Sequence, residues 1–405
     1  MTQLPTGVSV DDDARDGMLV LSLTSGLGPT LINRCIQFLG SPQAVLDAQI
    51  SQLAAVRGIG HKRAQSIRRS IDALGDGKAV GIEKQMIDAY GATVLTIADA
   101  RYPRLLKHIP DPPPLLYVRG RLQEDDALAL AVVGTRRCTA YGREQADRLS
   151  ALGAQAGLCI VSGGARGVDA AAHRAALRVG GRTLAVLGSG LAKPYPPEHE
   201  PLFNEIAAGG ADASRGAVIS ELPMSAPPLA EHFPRRNRIV SGLSLGVLVI
   251  EAPVGSGAMI TARLAAEEHG RDVMAVPGRV DSRSSTGCHK MIREGWATLV
   301  TSIADCLDAL GEAGQLLKVG LSERPERSSQ SRGSAASVAG LTDTQRRLFE
   351  ALDQPCTIDQ LSSNTGLAVS TIWADITVLE IRGLVVRDRG LCQKRGDRSN
   401  VSVCL

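Results

Sequence analysis

The stretch that most restricts how this chain can fold is Leu158 to Leu177, LCIVSGGARGVDAAAHRAAL. Its short apolar run, Leu158 to Val161, has the length and composition of a buried parallel strand. The run ends in Ser162-Gly163-Gly164 and passes into an Ala-rich helical segment carrying Asp169 and His173. Glycines at such a junction let the backbone turn sharply and approach a ligand with no Cβ in the way. The unsatisfied N–H groups that open the helix favour an anion, typically phosphate. Neither G-x-G-x-x-G nor Gly-Lys-Ser/Thr occurs here, so the junction is neither the dinucleotide fingerprint nor a Walker A loop. Glycine-rich turns of this kind also serve simply to pack helix on sheet, and both readings stand at this point.

The strand-then-helix pattern recurs. Aliphatic runs at Thr93–Ile97, Leu115–Val118, Leu130–Val133, Leu184–Leu187, Ala217–Ser220, Val247–Ile250 and Val273–Val276 alternate with Ala-rich helical segments. Continuous aliphatic strands of this type predict an α/β fold, a doubly wound parallel sheet covered on both faces. Ligands of such sheets bind at the carboxyl ends of the strands. PDPPPLL at 110–116 reads as a stiff, extended connector.

Residues 1–75 read as a separate helical domain. Within it SGLGPTLINRCIQFL, from Ser25, resembles RGIGHKRAQSI, from Arg57, each a G-[LI]-G turn followed by a helix. Such a hairpin can expose backbone N–H groups to a phosphate, or can merely cap helices. His61, Lys62 and Arg63 turn the second copy towards DNA contact; the first, with Pro29, reads as structural. Residues 76–312 form the α/β domain, and 313–340, polar and Ser/Arg-rich, a flexible linker. Residues 341–405 read as three helices, a basic wing (Arg387, Arg389, Lys394, Arg395, Arg398) and a closing VSVCL strand, a winged helix. Its recognition helix carries Asp375 and Glu380 against Arg382 alone, which argues against reading a duplex major groove.

Composition narrows the function. Only 3% of the 405 residues are aromatic, against 44% hydrophobic, so the cores are aliphatic and a row of stacking aromatics is not expected. The net charge of +3 requires any nucleic-acid contact to come from local clusters. Eight cysteines lie in no C-x-x-C or Cys/His ligand spacing, so they read as reduced thiols of a cytoplasmic protein, with no structural zinc and no other cofactor. No run is long enough for a membrane span, and the acidic N-terminus lacks an apolar signal region.

Four clusters follow predicted strands: VGTRRCTAYG with Arg136; SGGARGVDAAAH; LGSGLAKPYPPEH with Lys193; and HFPRRNRIVSGLS with Arg235, Arg236, Asn237 and Arg238. Guanidinium groups match phosphate oxygens in planar, bidentate fashion, so arginines beside a glycine-lined helix start suggest an anion site. Salt bridges to Glu221 and Glu251, which also end strands, are the plainer alternative. Asp169 and His173 are spaced to touch on one helix face, yet no nucleophile with a base and no metal motif is visible, which argues against an enzyme.

With these motifs in this order, the chain resembles the DNA-processing protein A family (DprA, also called Smf), whose pattern S-G-x-A-x-G-[IV]-D-x-x-A-H matches SGGARGVDAAAH. The likeness continues through VIEAPVGSGAMITARLAAEEHGRDVMAVPG. It implies an extended Rossmann-like domain between an N-terminal helix-hairpin-helix (SAM-like) domain and a C-terminal winged helix. It also implies a homodimer that binds single-stranded DNA without sequence preference, protects incoming strands and loads the RecA recombinase onto them in natural transformation. Carried over by position, the DNA site is Arg136, Gly163, Lys193, Phe233, Arg236, Asn237 and Arg238. Ser162, Gly167, Asp169 and Glu251 shape it. The chain departs from the family at His289, at Trp296 and at Ala192. An alternative of another class is a Rossmann-like nucleoside monophosphate phosphoribohydrolase, although APVGSGAMITARLAAE lacks the P-G-G-x-G-T-x-x-E run of those enzymes. Apolar positions near Met259–Leu264 or Met291–Ile292 are candidates for a dimer surface.

Overall fold

The structure, a computed structural model, describes residues 10–208, 215–315, 317, 342–352, 354–369, 371–372, 375–376, 379, 384–388 and 391–394. Most of the expected linker and the whole VSVCL segment lie outside the described residues. The chain divides into two compact units, 1–321 and 322–405.

The first unit opens with α1 (Val10–Leu23), α2 (Pro29–Leu39), α3 (Pro42–Asp47), α4 (Ile50–Ala55), α5 (His61–Leu74) and α6 (Lys78–Ala89). The two G-[LI]-G segments make equivalent turns: Gly26 and Gly58 take φ of 80° and 93°, and Gly28 and Gly60 cap α2 and α5. Each turn holds the other. Arg63 donates to the Gly26 carbonyl at 2.9 and 3.1 Å, and Arg34 to that of Arg57 at 3.4 Å. Arg63, one of the three bases that turn the second copy towards DNA contact, is thus tied to the neighbouring hairpin.

The sheet has nine strands among the described residues: β1 (Ala92–Thr96), β2 (Leu115–Gly120), β3 (Ala129–Val133), β4 (Cys159–Ser162), β5 (Thr183–Val186), β6 (Gly216–Ser220), β7 (Gly246–Val249), β8 (Asp272–Ala275) and β9 (Thr298–Leu299). Their order is β1-β2-β6-β5-β4-β3-β7-β8-β9. From β6 to β9 every pairing is parallel, as a doubly wound sheet requires. The expectation of an all-parallel sheet fails at one edge, where β2 runs antiparallel to both β1 and β6. The reason lies in the connection. Between β1 and β2 the chain forms one short helix, α7 (Arg104–Lys107), and the proline-rich stretch, too little for the covering helix of a parallel crossover.

Alternation along the strands sorts side chains onto two faces. On β3, Leu130 and Val132 face a core shared with α8 (Ala140–Gln155) and α9 (Val168–Arg178). Ala129, Ala131 and Val133 face another. Whereas α10 (Glu200–Ala207) packs in a different core, this one is covered by α11 (His232–Gly242), α12 (Gly257–Arg263) and α13 (Thr286–Arg293). The first face is completed by α14 (Ile303–Ala309). The helical segment shares a third core with the β2, β5 and β6 end of the sheet, where Tyr117 and Phe203 are buried with Leu21 and Ile67.

In the second unit α15 (Asp343–Glu350) and α16 (Ile358–Thr365) open with Thr342 and Thr357 capping boxes. The antiparallel pair β10 (Val385–Asp388) and β11 (Leu391–Lys394) forms the wing. Leu348, Leu361, Ile372, Ile376, Leu379 and Val385 make its core. Asp375 receives a hydrogen bond from Gln345 at 3.1 Å, while Glu380 and Arg382 lie outside the described residues.

Candidate nucleic-acid interface

Strand order reverses at β3, which leads to β4 on one side and abuts β7 on the other. The loops leaving neighbouring strands there turn in opposite directions and leave a crevice at their carboxyl ends. A cleft of about 680 Å³ occupies that position. Val133 at the end of β3, Gly134 to Arg137 after it, Gly163, Ala165 and Asp169 after β4, Phe233, Pro234, Arg236 and Asn237 from α11, and 256–258 after β7 line it.

The floor is built by backbone contact. Ser162 donates to the Val132 carbonyl at 2.7 Å, locking the end of β4 to β3. Gly167, at φ 79°, opens α9, and a Cβ there would overlap the Thr135 carbonyl, so two loops meet where only glycine fits. Glu251, 1% exposed, accepts from the Thr139 N–H at 2.8 Å and its hydroxyl at 2.7 Å. It thereby fixes the loop that carries Arg136 without itself lining the cleft.

Arg236 lies in the floor. It is 5% exposed, and its Nη1 donates to the carbonyls of Gly163 and Val186. Burial lowers its pKa to about 10, with the neighbouring Asp169 opposing the shift and Arg136 adding to it. The guanidinium is still charged at neutral pH. Asp169 is shifted up by burial, which outweighs the fields and hydrogen bonds of Arg236, Ala165, Ser162 and Gly163. Removing two ions from water is costly, and the carbonyls and the opposite charge offset it only together. His173 does not meet Asp169. Its Nδ1 lies 2.7 Å from the Thr183 hydroxyl, which donates to the Ile160 carbonyl, so Nδ1 carries the hydrogen. Burial drives its pKa down to about 3.

The rim carries the accessible charge. Arg136 and Arg137 are exposed, and the Arg136 guanidinium carbon stands 5.0 Å from the Phe233 ring centroid. Asn237 donates to the Gly257 carbonyl at 3.3 Å. Arg136, Gly163, Phe233, Arg236 and Asn237 therefore share one cleft. Lys193 is exposed and does not line it, although Tyr195, two residues on, does. Arg238 is turned away: it pairs with Glu221 at 2.6 Å and Asp111 at 3.5 Å, beside a second cleft of about 710 Å³ that Arg34, Arg63 and Arg235 also line. Helix geometry holds the signal for this split, since residues two apart point roughly 200° from each other.

Sequence reading missed Tyr195, Ser256 and Thr261 as lining residues. Tyr195 lies in a loop already singled out, but nothing in its spacing indicates which side chain turns inward. His289 donates from Nε2 to the Gly278 carbonyl at 3.0 Å, and Trp296 donates to Glu294 at 3.1 Å, so both departures from the family hold local structure. Met291, fully buried, and Met259, 9% exposed, are core rather than surface; Ile260 alone of these is well exposed, at 42%.

The model of a family described as DNA recombination-mediator protein A matches residues 93–311, and that of the DprA winged helix domain matches 332–390. Protein Smf of Synechocystis sp. is 35% identical over 400 residues, covering 93% of this chain and 98% of that protein. The DNA processing protein DprA of Streptococcus pneumoniae is 45% identical over 212 residues, 52% of this chain and 72% of that one. The X-ray structure of DNA processing protein A from Streptococcus pneumoniae superposes with a TM-score of 0.61 at 34% identity, covering 72% of this chain and 97% of that chain. With one family model over residues 93–311, another over 332–390 and a relative 35% identical along nearly its whole length, the chain belongs to the DNA recombination-mediator protein A (DprA/Smf) family.

Proposed function

We propose that the cleft grips the sugar-phosphate chain of single-stranded DNA without reading its sequence. In this reading the protein, as a cytoplasmic homodimer, protects incoming DNA and loads RecA onto it in natural transformation and homologous recombination. The observation that carries the reading is an exposed Arg136 standing over Phe233 above the Gly163 floor. The guanidinium supplies a phosphate partner, and the ring offers a face that only an unpaired base can use. Names support the family part: matched relatives are called DNA processing proteins, and the family a recombination mediator. A binding role rather than catalysis fits the groups present. Asp169, the one carboxylate lining the cleft among the described residues, is 6% exposed and bonded to the Ala165 N–H at 3.2 Å.

Titration with single- and double-stranded oligonucleotides of scrambled sequence at two salt concentrations tests this. Preference for single strands, indifference to sequence and a steep loss of affinity with salt are expected. RecA filament assembly on the bound strand is the second readout. Equal affinity for duplex, or base release from a nucleoside monophosphate, would sink it.

A further inference from the structure

Phe233 is one of four side chains in a row. Its ring centroid lies 5.5 Å from that of Tyr195, with the planes at 60°. Arg136 stands over the Phe233 ring at 5.0 Å and Arg166 over the Tyr195 ring at 5.6 Å. Guanidinium, ring, ring and guanidinium thus follow one another, supplied by four separate segments of the chain; the first three line the cleft, and Arg166 continues the row beyond its lining. Tyr195 is half-buried and lines the cleft. Arg166 is exposed and occupied: its Nε meets Glu198 Oε1 at 2.5 Å, and Nη1 donates to the Tyr195 hydroxyl at 3.3 Å. The Glu198 turn is fixed by its neighbour His199, whose Nδ1 donates to the Gly164 carbonyl at 3.0 Å.

We propose that Tyr195 is a second stacking residue beside Phe233, and that Glu198 holds Arg166 as a stand-in for a phosphate, giving way when a single strand arrives. This rests on the single-strand reading above. With their planes inclined at 60° the two rings do not form one continuous stack; each offers its own plane to a separate unpaired base, and arginine planes extend the surface. A carboxylate and a phosphate offer a guanidinium the same paired oxygens, so one replaces the other without moving Arg166 far. The two partners are 47% and 50% exposed, and a pair so open to solvent holds weakly. Glu198 therefore withholds Arg166 from stray anions yet yields to a strand already anchored at Tyr195.

Anisotropy titrations with an oligothymidylate, and with the same oligonucleotide made abasic at its central positions, test both parts. Tyr195→Leu is expected to weaken binding of the intact strand about fivefold or more and to leave the abasic strand unaffected, while Tyr195→Phe restores intact binding. Glu198→Gln is expected to tighten binding about two- to threefold and to steepen its salt dependence by up to about 0.7 in the logarithmic slope. If Tyr195→Leu weakens both strands equally, or neither, while Arg136→Ala weakens both, the stacking role is wrong and the cleft reading survives. If Arg136→Ala also changes nothing, the cleft reading fails and this inference with it. An unchanged or weaker Glu198→Gln overturns the latch.

Discussion

A Cβ on Gly163 would lie 2.5 Å from Nη2 of Arg236, so the glycine is the space into which that guanidinium is folded. The two residues belong to segments far apart in the chain, and each explains the other: the arginine is held by the Gly163 and Val186 carbonyls, and the glycine leaves it room. Gly163→Ala should therefore act on stability first. The guanidinium is pinned and buried, so the methyl cannot be accommodated by a swing of the side chain. A loss of about 1–3 kcal/mol is expected in urea unfolding, the usual range for overpacking. A wild-type midpoint would contradict the packing described.

Glu251 supports Arg136 at one remove. By accepting from the N–H and the hydroxyl of Thr139, the residue that caps α8, it holds the cap and sets the preceding loop. Glu251→Ala should cost about 1.5–3 kcal/mol, because the hydrogen bonds that Thr139 gives to the carboxylate are lost. Oligonucleotide affinity should fall as well, although Glu251 does not line the DNA cleft.

Two histidines, His173 fully buried and His269 half-buried, give stability a pH dependence of definite sign. His173 has its pKa lowered to about 3 and His269 to about 4, burial being the main cause for each, against an ordinary value of 6.5. Unfolded chains bind these protons and the folded one does not. Stability is thus fully present above about pH 6.5 and is lost as pH falls towards 4, by up to about 1.4 kcal/mol per pH unit for each histidine. Asp169 and Glu221, raised by burial, oppose the trend at its acidic end. Comparison with His173→Asn isolates one histidine: asparagine keeps a donor for Thr183, and its unfolding free energy should fall less steeply between pH 6.5 and 5. Identical slopes would show that His173 is not held neutral.

How much of this was legible in the sequence depends on whether the signal is local. Eight of the nine strands stand out because their aliphatic runs are unbroken; β9 is two exposed residues and gives no pattern. The direction of β2 was not legible, since pairing with β6 joins residues about a hundred apart in the chain. Cluster composition found Arg136, Arg236 and Asn237, and the family resemblance added Gly163 and Phe233; these five share the cleft. It could not say that Arg236 would be spent on two carbonyls or Arg238 on Glu221, because charge in a sequence does not say which groups face each other. Likewise Tyr195 and Arg166 acquire meaning only once their loops are folded together.

The central claim is that an accessible guanidinium at the cleft rim, Arg136, meets a phosphate of single-stranded DNA. The most direct measurement is the salt dependence of oligonucleotide binding for Arg136→Ala, set beside Arg238→Ala. Loss of Arg238 leaves Glu221 buried without its partner and should cost about 3–5 kcal/mol of stability, but the folded fraction should keep the wild-type slope of log K against log salt. Loss of Arg136 should lower affinity and flatten that slope by about 0.7, one phosphate contact on a single strand. An Arg136→Ala protein with the wild-type slope would contradict the account.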